Sequence, residues 1–134
     1  GAPLLALELA QSAQGAWLDD LIKRLSAGAK TDPLTAATAL DKVLKDSKGK
    51  LVLRHVVEWS QKWVVDLALA QQRLPVRYFL PQQATIAQLA GGIAADELVR
   101  FHRRLIECRR QVEQPLNARL FLEEFFLNYR ELFA

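Results

Sequence analysis

Asp96 to Phe133 is the stretch that most restricts what this chain can fold into. Leu98, Phe101, Leu105, Cys108 and Val112 recur at intervals of three and four, the signature of one buried helical stripe. Ala118, Leu122, Phe125, Tyr129 and Leu132 repeat the pattern, and Phe121, Phe126 and Phe133 widen it. Between the two runs lies Gln114-Pro115-Leu116-Asn117, where proline cannot continue a helix and asparagine is a good N-cap. The stretch therefore predicts two consecutive amphipathic helices. Four of the six phenylalanines fall between Phe121 and Phe133, so the last helix has to bury more than one face, in its own core or against a partner.

The rest of the chain is also helical in pattern. Pro3 to Gln14, with Leu4, Leu5, Leu7 and Leu9, reads as a helix closing a preceding domain, and Gly15 breaks it. Trp17, Leu18, Leu21, Ile22 and Leu25 line a second helix that Gly28 stops. Asp32-Pro33 is an N-cap followed by proline at the first helical position, and Leu34, Ala37, Leu40 and Leu44 form the stripe that follows. After a turn at Ser47 to Lys50, a long helix from about Leu51 to Gln71 carries Val52, Val56, Trp59, Trp63, Leu67 and Ala70 on one stripe, with Leu53, Val57, Val64 and Leu69 beside it. Being apolar around most of its circumference, it belongs at the centre. Leu74-Pro75 and Leu80-Pro81 delimit an extended piece containing Val76, Tyr78 and Phe79, because a residue before proline is driven out of the helical region. This piece is either a loop packed on the core or an interface element. A short helix, Gln82 to Ala90, ends at Gly91-Gly92. The expected fold is all-α, a compact bundle of six to seven helices.

Chemistry is sparse. No glycine-rich phosphate loop is present, since Gly91-Gly92 lacks the following Lys and Ser or Thr, and His55, His102 and Cys108 are scattered rather than set at metal-ligand spacing. The expectation is no catalytic site, no metal and no cofactor. Cys108 sits on an apolar stripe as a small core residue, and a single cysteine excludes an internal disulfide. No apolar run reaches the length of a membrane span. Asp66 is one step off the stripe of an apolar helix, which leaves open a surface acid, a catalytic acid, or a buried one that demands a partner, either an ion pair with Arg73 or Arg77 or a backbone lock. The net charge of +3 permits nucleic-acid contact. From Asp96 to Glu113, however, five arginines (Arg100, Arg103, Arg104, Arg109, Arg110) meet four acids (Asp96, Glu97, Glu107, Glu113), leaving +1. Asp96 precedes Arg100 by four, and Glu107 lies four after Arg103 and three before Arg110, all pairing distances on a helix. The readings left open are a solvated face, a subunit interface and a nucleic-acid surface.

The run Phe101 to Val112, followed by Pro115-Leu-Asn-Ala-Arg-Leu-Phe-Leu-Glu-Glu-Phe125 and Tyr129, resembles the close of the delta-prime subunit of the bacterial DNA polymerase III clamp loader. In that family a long helix, Pro-Leu-Asn, and a helix with Leu-Phe-Leu-Glu and a later aromatic follow one another. Trp63-Val-Val-Asp66 is similar to the family's Trp-x-x-Asp in a central helix, and Gly1 to Leu7 to the segment leaving its second domain. The resemblance implies a non-catalytic collar domain that packs beside the gamma or tau and delta subunits in the cytoplasm, with DNA contact indirect or weak. The parent would be a non-hydrolysing subunit of the DNA-directed DNA polymerase holoenzyme. It implies that residues 1–14 end a preceding lid domain or connecting helix and that 15–134 form the oligomerisation domain. The absence of Met and the opening Gly-Ala-Pro lead to the same expectation of a fragment. Candidate interface residues are Tyr78, Phe79, Arg100, Arg103, Arg104, Phe121, Phe126 and Tyr129; candidate structural residues are Trp59, Trp63, Asp66, Phe101, Leu105, Asn117, Leu122 and Phe125. The alternative function is a helical nucleic-acid-binding domain using the Arg100 to Arg110 face.

Overall fold

The computed structural model describes residues 17–47, 53–112 and 117–133. The helix expected at Pro3 to Gln14, the boundary near residue 15, the turn at 48–50 and the break at 114–116 lie outside the described residues. Six α-helices and no strand occur among the described residues: α1 (17–26), α2 (Pro33–Asp46), α3 (Leu53–Gln71), α4 (Gln83–Ala90), α5 (Ala95–Gln111) and α6 (Ala118–Glu131). Short 3-10 turns stand at Gly28–Lys30 and Leu80–Gln82. The all-α expectation holds, with boundaries shifted by a residue or two.

Local chemistry fixes the helix ends. The Asp32 side chain accepts from the Leu34 and Thr35 amides, with Pro33 at the first helical position, and Asn117 accepts from Leu120 N–H at 3.1 Å to open α6. Gly28 takes φ +57°, turning the chain after α1; a side chain there would bring its Cβ within 2.7 Å of Leu89 Cδ2. At the end of α3 the Leu74 amide reaches back to the Leu69 carbonyl (2.9 Å) and Arg73 N–H to Ala70 (3.0 Å). That is a Schellman cap, with Arg73 at φ 60° where glycine is usual, and Pro75 follows it.

The apolar stripes of α1, α2, α3, α5 and α6 meet in one core containing Leu21, Leu40, Trp63, Leu105, Leu122 and Phe126. Helix α6 packs along α2, and α3 packs against both α4 and α5. Through the centre runs a short polar chain: Trp63 Nε1–H donates to the Tyr129 hydroxyl (3.1 Å), which donates to the Leu25 carbonyl (2.6 Å). It joins α3, α6 and α1 at a buried point where an unpaired group would be costly. Burial holds the Tyr129 phenol well above the usual range, the Trp63 hydrogen bond opposing it weakly. One part of the expected α2 stripe is corrected: Leu34 is 62% exposed, because the buried face runs through Pro33, Ala36, Ala37, Leu40 and Asp41, and Leu34 lies off it.

Candidate partner-binding surface

The surface begins with Asp66. Its carboxylate is fully buried and accepts the amides of three successive residues: Arg77 (2.8 Å), Tyr78 (3.2 and 3.1 Å to its two oxygens) and Phe79 (2.8 Å). The partner is therefore backbone, not the guanidinium of Arg73 or Arg77; the Arg77 guanidinium stands 5.5 Å from the Tyr78 ring instead. Converging N–H groups are strong donors to a carboxylate and leave it nothing unpaired. By pinning three consecutive amides, Asp66 also decides which way the side chains go. Phe79 points inward, edge-on to Trp63 (5.2 Å) and Trp59 (6.0 Å), while Tyr78 stays 41% exposed. The proline-bounded segment is thus a loop sewn to α3 that presents one aromatic outward.

Beside Tyr78, Lys62 Nζ lies 3.9 Å above the Trp59 ring and 5.5 Å from the Tyr78 ring, a cation–aromatic arrangement at the surface. Glu58 accepts from Arg109 at 3.3 Å and pairs with Arg54 at 3.7 Å, tying α3 to α5. Glu58, Lys62, Tyr78 and Arg109 border a polar hollow that also takes in Val65 and His102.

Val65 and His102 in turn belong to a wider groove of about 610 Å³ running between α3 and α5. Its walls are apolar: Val65, Ala68 and Leu69 from α3, Val99 and Ile106 from α5. Val99 is 51% and Ile106 41% exposed, two large aliphatic side chains two turns apart on the same face of α5 and lining one groove. Gln71 closes one end, its amide donating to the Ile93 carbonyl (2.9 Å) and more loosely to Ala90 (3.4 Å). The groove thus lies on a braced wall, not on a loop.

The expected interface residues divide four ways. Tyr78 and Arg103 border this surface. Arg104 and Phe121 line a separate cleft of about 240 Å³ between α5 and α6, together with Cys108, whose thiol is pushed up by burial and by Glu124. Phe79, Phe126 and Tyr129 are corrected, since all three lie inside the core: Phe79 because Asp66 holds its amide and turns its ring onto Trp59 and Trp63, Phe126 and Tyr129 because α6 packs along α2 and meets Trp63 of α3 and Phe101 of α5. Arg100 is exposed but held by Glu97 (2.8 Å) and Asp96 (3.4 Å), as the spacing predicts. Arg109 pairs across to Glu58, so the arginine-rich helix does not present a continuous positive strip. Of the candidate structural residues, Trp63, Asp66, Phe101, Leu105, Leu122 and Phe125 are buried, and Trp59 is half-buried under Lys62.

Sequence reasoning missed the groove. Its signal was a second stripe on α5, Ala95, Val99, His102 and Ile106 at spacings of four, three and four, facing a second set on α3.

Among the described residues no group of three His, Cys, Asp or Glu could hold a metal ion, and no helix is long and apolar enough to cross a membrane. Fold and surface together define an all-helical domain with an open apolar groove on a rigid wall. A family model described as DNA polymerase III, delta subunit, C terminal matches residues 16–131, and the chain belongs to that family. It is a DNA polymerase III clamp-loader domain. No curated protein and no solved structure matches the chain.

Proposed function

We propose that this domain is the assembly module of the clamp-loader delta-prime subunit, a collar domain that binds the gamma or tau and delta subunits and holds together the complex that loads the sliding clamp. Residues 15–134 form that module and residues 1–14 connect it to a preceding domain, in a protein of the cytoplasm. The domain contributes contact surface and not catalysis. The observation that carries the reading is the braced groove between α3 and α5, with Val99 and Ile106 left open, in a chain of this family. A stable interface buries about 800 Å² per partner, within reach of one wide helical face. The Trp63-to-Asp66 and Pro115-to-Glu123 motifs, which resemble those of delta-prime, support that choice of subunit. Tyr78 and Arg103 border this contact surface, and Arg104 and Phe121 supply a second one. The interrupted positive charge on α5 counts against the nucleic-acid alternative.

The test is competition during reconstitution of the clamp loader from full-length subunits. The chain is expected to compete with delta-prime for its place and leave delta bound. Displacement of delta instead would reassign the subunit, and displacement of neither would defeat the assembly reading.

A further inference from the structure

We propose that the α3/α5 groove takes an acidic amphipathic helix of about three turns, contributed by a neighbouring subunit. The inference rests on the assembly reading and names the chemistry of the contact.

Length comes first. From Ala95 to Ile106 the groove follows twelve residues of α5, whose ends at a helical rise of 1.5 Å per residue stand about 16 Å apart, or three turns. Two helices side by side leave a furrow that suits a third, whose apolar positions at three- and four-residue spacing enter it. The occupant's floor is supplied by Val65, Leu69, Val99 and Ile106.

Charge then selects the occupant. The only formally charged residue lining the groove is Arg103, with His102 beside it and no acid. In the adjoining hollow the one acid among the described lining residues, Glu58, is already shared by Arg54 and Arg109, whereas Lys62, also in its lining, stands over two aromatic rings. A helix seated on the apolar floor would therefore meet Lys62 and Arg103 along its flanks. Glutamates or aspartates there gain charge-assisted contacts, whereas lysines meet repulsion.

The probe is a helical peptide of about 15 residues with leucines at spacings of four, three and four and glutamates on both flanks, alongside a twin with lysine for each glutamate. Titration against the wild-type chain, Ile106→Asp and Arg103→Glu is followed by fluorescence anisotropy; both substitutions are at exposed positions, and circular dichroism checks the fold. The acidic peptide is expected to bind about tenfold or more tighter than its twin and to weaken as salt rises toward about 0.5 M. Ile106→Asp is expected to weaken it about tenfold or more, and Arg103→Glu to narrow or reverse the preference between the twins. Equal or tighter binding of the lysine twin overturns the proposal, as does acidic-peptide binding indifferent to both substitutions. A dimer of the chain that Ile106→Asp dissolves also overturns it, since a second copy would then fill the groove. So does displacement of the peptide by duplex DNA from the wild type but not from Arg103→Glu. In parallel, each variant is offered to the full-length clamp-loader subunits. Normal entry of Ile106→Asp overturns the groove contact while the assembly reading stands. Failure of the wild type to enter, with the acidic peptide bound as described, defeats the assembly reading and supports the groove's chemistry.

Discussion

Asp66→Asn is the substitution whose cost the structure defines best. The carboxylate offers two oxygens to three amides, with the shortest contacts, 2.8 Å, to Arg77 and Phe79. An asparagine keeps one acceptor and turns an NH2 group toward an N–H, so one or two charge-assisted bonds are lost and two donors face each other. At about 1.5–3 kcal/mol for a hydrogen bond to a charged group, the expected destabilisation is about 3 kcal/mol. For a chain of this size that corresponds to a fall of about 10 °C in Tm. Urea unfolding followed by far-ultraviolet circular dichroism measures it, with the slope against denaturant unchanged if the unfolded state is unaffected. The Phe79 amide, buried and bonded to Asp66, is expected to lose hydrogen-exchange protection first. Arg77→Ala is the control: its guanidinium is not the partner, so it is expected to move stability by less than about 0.5 kcal/mol. A loss below about 0.5 kcal/mol in Asp66→Asn, or a loss in Arg77→Ala equal to it, would refute the backbone lock.

Other substitutions test the frame around it. Because the Tyr129 hydroxyl is held above its unfolded value near 10, its contribution to stability is complete below about pH 10 and is lost as pH rises beyond it, by up to about 1.4 kcal/mol per pH unit. Tyr129→Phe should flatten that alkaline decline while costing about 1–3 kcal/mol at neutral pH, since Trp63 N–H and the Leu25 carbonyl lose their shared partner; pH-dependent urea titrations read both effects. Gly28→Ala combines a left-handed backbone with a 2.7 Å approach to Leu89 and is expected to lower stability by about 2 kcal/mol in thermal unfolding. Arg73→Gly removes a side chain from a left-handed cap without touching its two hydrogen bonds, and is expected to raise stability by about 0.5–1 kcal/mol in the same assay.

The helices were legible because their signals are local: Asp32-Pro33 opens α2, Asn117 caps α6, and the three-four spacing of Leu98, Phe101 and Leu105 marks the buried side of α5. Asp66 was legible as a buried acid in need of a partner, but spacing alone could not choose between a guanidinium eleven residues on and the amides beside it. Whether the aromatic surplus of α6 is buried in the core or against a partner was not legible, because sequence does not say how many neighbours a helix has. With α2, α3 and α5 around it, Phe126 and Tyr129 are wholly enclosed. The groove was hidden for the complementary reason. Val99 and Ile106 lie off the dominant stripe, and only the packing of α5 against α3 brings them beside Val65 and Leu69.

The central claim, a domain that assembles by apolar contact, is tested most directly by light scattering after size exclusion of the chain mixed with full-length gamma or tau and delta subunits in about 0.5 M salt, where exposed charges are largely screened. The account predicts a defined heteromeric peak that contains the chain. A chain that elutes alone and monomeric under these conditions and in low salt would contradict it.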